Sequence, residues 1–127
     1  MADQYRILLV DDEPSVVKTV GKRLEIEGFD VVVAFDGEEA LAKARQAKPD
    51  LIILDLMLPK LDGYHVCAAL RKDPQHQKTP IVILTARMDK QDEQMAMSCG
   101  ANAYIRKPFR GEEMLGKIRS LLVESQL

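Results

Sequence analysis

The segment Leu51-Ile52-Ile53-Leu54-Asp55 sets the pattern of the whole chain, because four apolar residues run directly into an acid. Apolar runs of the same kind recur at regular intervals, at Ile7-Leu8-Leu9-Val10, Val31-Val32-Val33-Ala34, Ile81-Val82-Ile83-Leu84 and Ala103-Tyr104-Ile105. Each run is short, rich in β-branched residues and almost free of alternating polar positions. This pattern is typical of strands that are buried on both faces of a parallel sheet.

Amphipathic stretches follow each of these runs and predict five helices. The helices are expected to begin near Asp12 or Glu13, Gly37, Gly63, Lys90 and Gly111. The fourth helix has the weakest apolar stripe, formed by Met95, Ala96 and Cys99. Five repeats of strand and helix with right-handed crossovers predict an α/β fold, with helices on both faces of a five-stranded parallel sheet.

The length and composition limit the class of protein. The 127 residues fit one domain, which we expect to span residues 1–127, and a net charge of −2 gives no reason to expect direct nucleic-acid binding. No apolar run approaches the roughly 20 residues of a membrane span, and the N-terminus lacks the layout of a signal peptide. Cys67 and Cys99, without a CxxC motif, are expected to be reduced thiols in a cytoplasmic protein.

Polar residues with complementary chemistry follow four of the predicted strands. Asp11-Asp12 follows the first strand, Asp55 the third, Thr85 the fourth and Lys107 the fifth. In an open parallel sheet, ligands bind beyond the carboxyl ends of the strands, where these side chains would converge. Singly, Asp12 could be a helix cap and Thr85 a turn residue, but the joint placement favours a functional site.

Crowded carboxylates at this edge would need a compensating cation. Three acids and one lysine leave two negative charges, which a divalent ion would neutralise. Carboxylate oxygens suit Mg²⁺, whereas zinc would favour histidine or cysteine ligands, which these strand ends lack. We expect His65 and His76, on or after the third helix, to lie at the surface.

Five motifs in order resemble the receiver domain of two-component response regulators over essentially the full chain. They are Ile7-Leu8-Leu9-Val10-Asp11-Asp12-Glu13, Asp55-Leu56-Met57-Leu58-Pro59 with Asp62-Gly63, Thr85-Ala86, Gly100-Ala101 with Tyr104, and Lys107-Pro108-Phe109. The resemblance implies a flavodoxin-like, doubly wound (βα)5 fold with strand order 2-1-3-4-5.

The resemblance also implies the roles of the acidic residues. Asp55 would accept a phosphoryl group from a phosphohistidine on a sensor histidine kinase or a histidine phosphotransfer protein. Asp11 and Asp12, with Asp55 and the backbone carbonyl of Met57, would hold Mg²⁺, for which Mn²⁺ could substitute. Phosphoryl transfer of this kind depends on positioning and on stabilisation of charge.

Other residues match the family's positions for binding and reading the phosphoryl group. Lys107, the Thr85 hydroxyl and the Ala86 backbone N–H would contact phosphoryl oxygens. Thr85 would move towards the phosphoryl group and allow Tyr104 to turn, which would change the surface formed by the fourth helix, fifth strand and fifth helix. A cis peptide bond is expected between Lys107 and Pro108.

That surface would contact a downstream protein or effector domain, with the chain a monomer or a phosphorylation-dependent dimer. By the resemblance, Met57 and Arg87 match two variable positions of the family that would tune hydrolysis of the phosphorylated form. Because Met57 cannot orient water and Arg87 could pair with the phosphoryl group, the phosphorylated state is expected to be longer-lived than with polar residues at these positions.

Three other classes of protein are less consistent with the motifs. A receiver-like interaction module without phosphorylation usually lacks one of the acids or the lysine, all of which are present here. An aspartate-nucleophile phosphatase would carry a DxD motif after the first strand, which Asp11-Asp12-Glu13 does not provide. A nucleotide-binding module would carry a glycine-rich phosphate loop there. The chain is therefore expected to be a switch that assists its own phosphorylation and dephosphorylation, and not an enzyme.

Overall fold

Strands and helices alternate along the chain in the computed structural model, which describes residues 4–86 and 90–125. The elements are β1 (Arg6–Val10), α1 (Pro14–Ile26), β2 (Asp30–Ala34), α2 (Gly37–Ala47), β3 (Leu51–Leu54), α3 (Gly63–Lys72), β4 (Ile81–Thr85), α4 (Lys90–Ser98), β5 (Ala103–Arg106) and α5 (Gly111–Glu124). Every predicted strand and helix is present within a few residues of its expected bounds. No helix in the described part of the chain is long and apolar enough to cross a membrane.

The five strands form one parallel sheet in the order β2-β1-β3-β4-β5, as the resemblance implied. β1 lies between β2 and β3, with Leu9 opposite Val33 on one side and Ile53 on the other. The order of the strands therefore reverses between β1 and β3. This reversal opens a crevice at the carboxyl ends of those two strands.

Helices cover both faces of the sheet and divide the core in two. Alternate residues of β1 point to opposite faces, so Ile7 and Leu9 join one cluster and Leu8 and Val10 the other. The first cluster is completed by α1 and α5, and the second by α2, α3 and α4. Leu115, Ile118 and Leu122 of α5 are buried as expected.

Two expectations about burial were wrong. The interior strands β1, β3 and β4 are buried, but most of β2 is only half-buried because β2 is at the edge of the sheet. On α4, Met95 was expected to be buried and is 54% exposed, whereas Ala96 is the buried side chain of that helix among its described residues. The apolar stripe of α4 is thus even narrower than predicted.

His76 is a third correction, because it was expected at the surface and is 2% exposed. Its Nε2 lies 3.0 Å from the carbonyl oxygen of Ala44 near the end of α2, and its Nδ1 lies 3.0 Å from Thr79 Oγ1. The ring therefore ties the segment after α3 to α2. Only the fold brings these groups together, since Ala44 and His76 are 32 residues apart in the chain.

Candidate functional site

Asp11 and Asp55 lie at the switch point between β1 and β3, each directly after its strand. Sheet-like hydrogen bonds extend to both residues, from Asp11 N to Ala34 O at 3.2 Å and from Asp55 N to Val10 O at 3.0 Å. The hydrogen-bond pattern of the sheet therefore continues one residue beyond β1 and β3, into both acids. Asp11 is 1% exposed and Asp55 is 5% exposed, so both carboxylates are withdrawn from water.

The ammonium of Lys107 lies between the two acids. Its Nζ is 2.6 Å from Asp11 Oδ2 and 3.2 Å from Asp55 Oδ2. Lys107 follows β5, and its backbone N–H donates to Thr85 O at 2.8 Å, which continues the pairing of β4 with β5. The peptide bond from Lys107 to Pro108 is cis, the isomer expected from the sequence.

The second oxygen of each acid is also fixed, in the same way at both positions. Asp11 Oδ1 accepts from the Glu13 N–H at 3.0 Å, and Asp55 Oδ1 accepts from the Met57 N–H at 3.1 Å. An aspartate that accepts from the backbone two residues ahead is held in one orientation by its own turn. The two carboxylates are consequently set in place before any ligand binds.

The charges at this site are unequally stabilised. Burial raises the pKa of Asp11, although hydrogen bonds from Lys107 and from the Glu13 backbone act to lower it. Burial acts to lower the pKa of Lys107, but the hydrogen bond to Asp11 and the charges of Asp55 and Asp11 outweigh burial and raise it. The Asp11 side chain is 2% exposed and that of Lys107 14%, so Asp11 loses more hydration and the ammonium is the more firmly charged partner.

Asp12 completes a set of three acids that could hold a metal ion. One carboxylate oxygen from each of Asp11, Asp12 and Asp55 lies within 4.8 Å of the others, and Asp12 is exposed. The donors are all hard oxygens, which suit Mg²⁺ or Mn²⁺ and not zinc. Since one of the three acids is open to solvent, an ion held here could keep waters and take a further oxygen ligand.

The remaining predicted residues differ in how far they are exposed. Thr85 is fully buried at the end of β4, and Ala86 beyond it is exposed. Tyr104 on β5 is half-buried against the core cluster beneath α2, α3 and α4. The Met57 side chain is 54% exposed, and Arg87 lies outside the described residues.

Two glycines shape the loop between β3 and α3, and sequence reasoning missed their role. A Cβ on Gly63 would lie 2.4 Å from Asp55 O and 2.6 Å from the Cα of Leu56. A Cβ on Gly37, at the start of α2, would lie 1.9 Å from Leu61 O. The available signal was glycine at the first position of a helix, where most other residues have higher helix propensity.

A cavity of about 500 Å³ opens beside Lys107, between α1 and the segment that joins β5 to α5. Val16, Val20, Phe109 and Met114 give it an apolar lining, and Arg23 provides a positive charge. Mainly apolar concave surfaces with a few polar groups are the usual form of binding sites. The acidic cluster therefore borders a second, apolar surface.

The three acids and Lys107 lie together at the switch point of a doubly wound sheet, and comparison with known sequences identifies the class of protein to which this site belongs. Residues 7–119 match the family model for the response regulator receiver domain. The chain therefore belongs to the family of response regulator receiver domains.

Curated relatives extend the comparison to longer proteins. The chain is 46% identical over 122 residues to the alkaline phosphatase synthesis transcriptional regulatory protein PhoP of Bacillus subtilis, covering 96% of this chain and 50% of that protein. It is 44% identical over 119 residues to the DNA-binding response regulator MtrA of Mycolicibacterium smegmatis, covering 94% and 51%. The chain thus spans about half the length of these relatives.

Solved structures support the same family. A CheY-like response regulator receiver domain protein from Methanospirillum hungatei superposes with a TM-score of 0.92 at 28% identity, covering 98% of both chains. The chemotaxis protein CheY4 of Vibrio cholerae gives a TM-score of 0.89 at 34% identity, covering 94% of this chain and 99% of that one.

Proposed function

We propose that this domain is a phosphorylation-controlled switch in which Asp55 accepts a phosphoryl group from a phosphohistidine. The supporting observation is the geometry of Asp55, which has one oxygen bonded to the Met57 N–H and the other 3.2 Å from the Lys107 ammonium. A carboxylate held in this way is oriented for attack and has a cation beside it. Positioning and charge stabilisation are the main requirements of phosphoryl transfer.

In the proposed reaction, an Asp55 carboxylate oxygen attacks phosphorus and the bond from phosphorus to the donor histidine nitrogen breaks. The product is an acyl phosphate, and the histidine nitrogen is released with the electron pair and is then protonated. Lys107 would meet the charge of the phosphoryl oxygens. The Thr85 hydroxyl and the Ala86 N–H would bind the other phosphoryl oxygens.

Mg²⁺ fits the donor set formed by Asp11, Asp12 and Asp55, with the carbonyl of Met57 as a further ligand, and Mn²⁺ could take its place. Bound there, it would supply positive charge for the phosphoryl oxygens and would favour the ionised form of the acids. The carboxylates themselves would hold the ion through oxygens that the turns at Asp11 and Asp55 already orient.

The phosphorylated state would be read through α4, β5 and α5. Thr85 would move towards the phosphoryl group and Tyr104 would turn, which would shift α4. A downstream protein or an effector domain would bind this surface, either to a monomer or to a phosphorylation-dependent dimer. The longer relatives are named as DNA-binding or transcriptional regulators, which supports an effector that controls transcription.

The donor would be a sensor histidine kinase or a histidine phosphotransfer protein. The domain would assist its own phosphorylation and dephosphorylation and would not turn over a separate substrate. An interaction module that is independent of phosphate is not favoured, because Asp11, Asp12 and Asp55 each place an oxygen within 4.8 Å of the others and Lys107 contacts Asp11 and Asp55.

A small-molecule phosphodonor tests the proposal directly. Wild-type protein incubated with acetyl phosphate and Mg²⁺ is expected to gain the mass of one phosphoryl group in intact-protein mass spectrometry. Asp55→Asn should gain none, whereas Glu38→Ala, which removes an exposed acid of α2, should react like the wild type. Equal labelling of Asp55→Asn and wild type would refute Asp55 as the acceptor.

The exposed Met57 leads to a proposal about the lifetime of the phosphorylated state. An asparagine at this position could orient the attacking water, whereas a methionine cannot. Met57→Asn is therefore expected to lose its phosphoryl group faster than the wild type. Equal or slower hydrolysis in Met57→Asn, followed by intact mass over time, would contradict this role.

A further inference from the structure

One face of α3 carries three side chains that donate hydrogen bonds to α4 and to the segment after it. Tyr64, Cys67 and Arg71 are three and four residues apart, a spacing that places them on the same side of a helix. The Tyr64 hydroxyl lies 2.7 Å from Asp92 Oδ1 and 3.3 Å from Asp92 O, in the first turn of α4.

The other two donors act beyond the last turn of α4. The Cys67 thiol donates to Cys99 O at 3.3 Å. Arg71 Nε donates to Gly100 O at 2.9 Å, and its Nη2 donates to Asn102 Oδ1 at 2.7 Å. Burial raises the pKa of Cys67 to about 11, so its thiol keeps the proton that it donates at neutral pH.

The two ends of α4 are held by different contacts. At its C-terminal end, Asn102 Oδ1 also accepts from the Ile81 N–H, and the Asn102 N–H donates to Ile81 O, so this end is joined to β4. Arg71 further donates to the carbonyls of His76 and Thr79. At the N-terminal end, Tyr64 bonds to Asp92, a partly exposed residue of the first turn.

Apolar packing adds little to hold α4 in position. Ala96 is buried, whereas Met95 is 54% exposed and Met97 is 45% exposed. An alanine buries too little apolar area to define the position of a helix on its own. Among the described residues, the side-chain hydrogen bonds from α3 therefore add to this limited apolar packing in positioning α4.

The helix that provides these donors begins at Gly63, which packs against the backbone of the proposed phosphoacceptor Asp55. The Gly63 N–H donates to Leu56 O at 3.0 Å, and the Gly63 Cα sits so close to Asp55 O that a Cβ would overlap it. Tyr64 is the next residue. A displacement of the Asp55 backbone would therefore be transmitted to the Tyr64 hydroxyl through the first two residues of α3.

We propose that Tyr64 positions the N-terminal end of α4 through Asp92, and that α4 pivots about its C-terminal end, where Arg71 and Asn102 fix it. This inference rests on the proposed function only for the event that moves α4. The contact itself provides a connection from Asp55 to α4 that does not pass through Thr85 and Tyr104. The positioning role is a property of the unphosphorylated protein.

Amide hydrogen exchange in Tyr64→Phe tests the positioning role without any phosphodonor. The substitution removes the hydroxyl and keeps the ring. Amide exchange at residues 94–97 is expected to be roughly three- to tenfold faster than in the wild type, because the variant loses about one side-chain hydrogen bond. Exchange at Asn102 is expected to be unchanged. Tyr5→Phe makes the same chemical change at a half-buried tyrosine that packs against the other core cluster, and should leave residues 94–97 unchanged.

A second variant separates the contact to Asp92 from a general effect of Tyr64. In an Asp92→Ala background, which removes the 2.7 Å bond to the carboxylate and keeps the 3.3 Å bond to Asp92 O, Tyr64→Phe should increase exchange at residues 94–97 less than it does in the wild type. An equal increase in both backgrounds, no increase in Tyr64→Phe alone, or an equal increase at Asn102 would each overturn the proposal.

Beryllofluoride with Mg²⁺, used as a phosphoryl analogue, tests the pivot. In the wild type it should raise exchange at residues 94–97 and leave Asn102 unchanged, and in Tyr64→Phe the further rise should be smaller. Equal rises at both ends would refute the pivot. A wild-type protein that binds no beryllofluoride would refute the proposed function, while the comparison of free Tyr64→Phe with wild type still decides the positioning role.

Discussion

Gly63→Ala is a substitution for which two opposite effects can be weighed from the structure. Gly63 is the first residue of α3, where alanine has a higher helix propensity than glycine by about 1 kcal/mol. The added methyl group would lie 2.4 Å from Asp55 O and 2.6 Å from Leu56 Cα. Both atoms belong to the backbone, so no side-chain rotation can relieve the overlap.

The overlap should outweigh the gain in propensity. Forcing a methyl group into a packed site costs about 1–3 kcal/mol, and separating α3 from Leu56 also weakens the hydrogen bond from Gly63 N to Leu56 O, worth about 1 kcal/mol. The higher helix propensity of alanine offsets about 1 kcal/mol of these two costs. Gly63→Ala is therefore expected to lower the free energy of unfolding by about 1–3 kcal/mol. Phosphorylation from acetyl phosphate should also slow, because Asp55 O would be displaced.

Urea unfolding followed by far-ultraviolet circular dichroism measures this change. With a slope of about 1–3 kcal/mol per molar urea, the midpoint should fall by roughly 1 M at an unchanged slope. Gly116→Ala is the matched control, since it is exposed within α5 and has no heavy atom within 4 Å of the added methyl group. It should raise stability by about 0.5–1 kcal/mol. A Gly63→Ala protein as stable as the wild type would refute the packing argument.

Three further predictions concern single groups outside the acidic cluster. Asp62 caps α3 by accepting from the His65 N–H at 3.0 Å, so Asp62→Ala should lower the free energy of unfolding by about 1 kcal/mol in urea titrations, and Asp62→Asn by less. Burial acts to raise the pKa of Asp62, but hydrogen bonds from the backbone and ring of His65 outweigh burial and lower it. The stability that the ionised Asp62 contributes is therefore fully present above its ordinary pKa of 3.8, and is lost as the pH falls through the lower pKa of the folded protein. Lys48 has φ 50° at the end of α2, and Lys48→Gly should stabilise the protein by up to about 1 kcal/mol, whereas a lower urea midpoint would contradict the cost assigned to this conformation. Burial raises the pKa of Cys67 to about 11, so iodoacetamide at pH 8 should leave Cys67 unmodified until urea is added, and rapid native labelling would count against that protection.

Local sequence patterns were sufficient to predict the strands and helices of this fold. The run from Leu51 to Leu54 is continuous and apolar because β3 is covered on both faces. The same pattern wrongly predicted full burial for Val31 to Val33, an equally apolar run that forms an edge strand and is only half-buried. Composition alone cannot distinguish the two situations, since exposure at the edge of a sheet depends on the order of the strands.

The burial of individual residues was less predictable where hydrogen bonds, and not apolar area, decide it. His76 is buried because its ring meets Ala44 O and Thr79 Oγ1, and no periodic pattern marks such a residue. Met95 is exposed because α4 presents Ala96 to the core in its place. A helix with so few apolar residues has no stripe strong enough to define its orientation.

The sequence by itself determined which chemical groups follow the strands, because the acids, the hydroxyl and the lysine that come after four of the five apolar runs must lie at one edge of a parallel sheet. Tertiary structure alone decided the distances among them. Lys107 contacts Asp11, which is 96 residues away in the chain, and Asp55, which is 52 residues away. These contacts require the observed order of β5, β1 and β3 in the sheet and the helices that cover it. The contacts of Tyr64 with Asp92 and of Gly63 with Asp55 belong to the same category, since helix packing against the sheet, and no local preference, brings those atoms together.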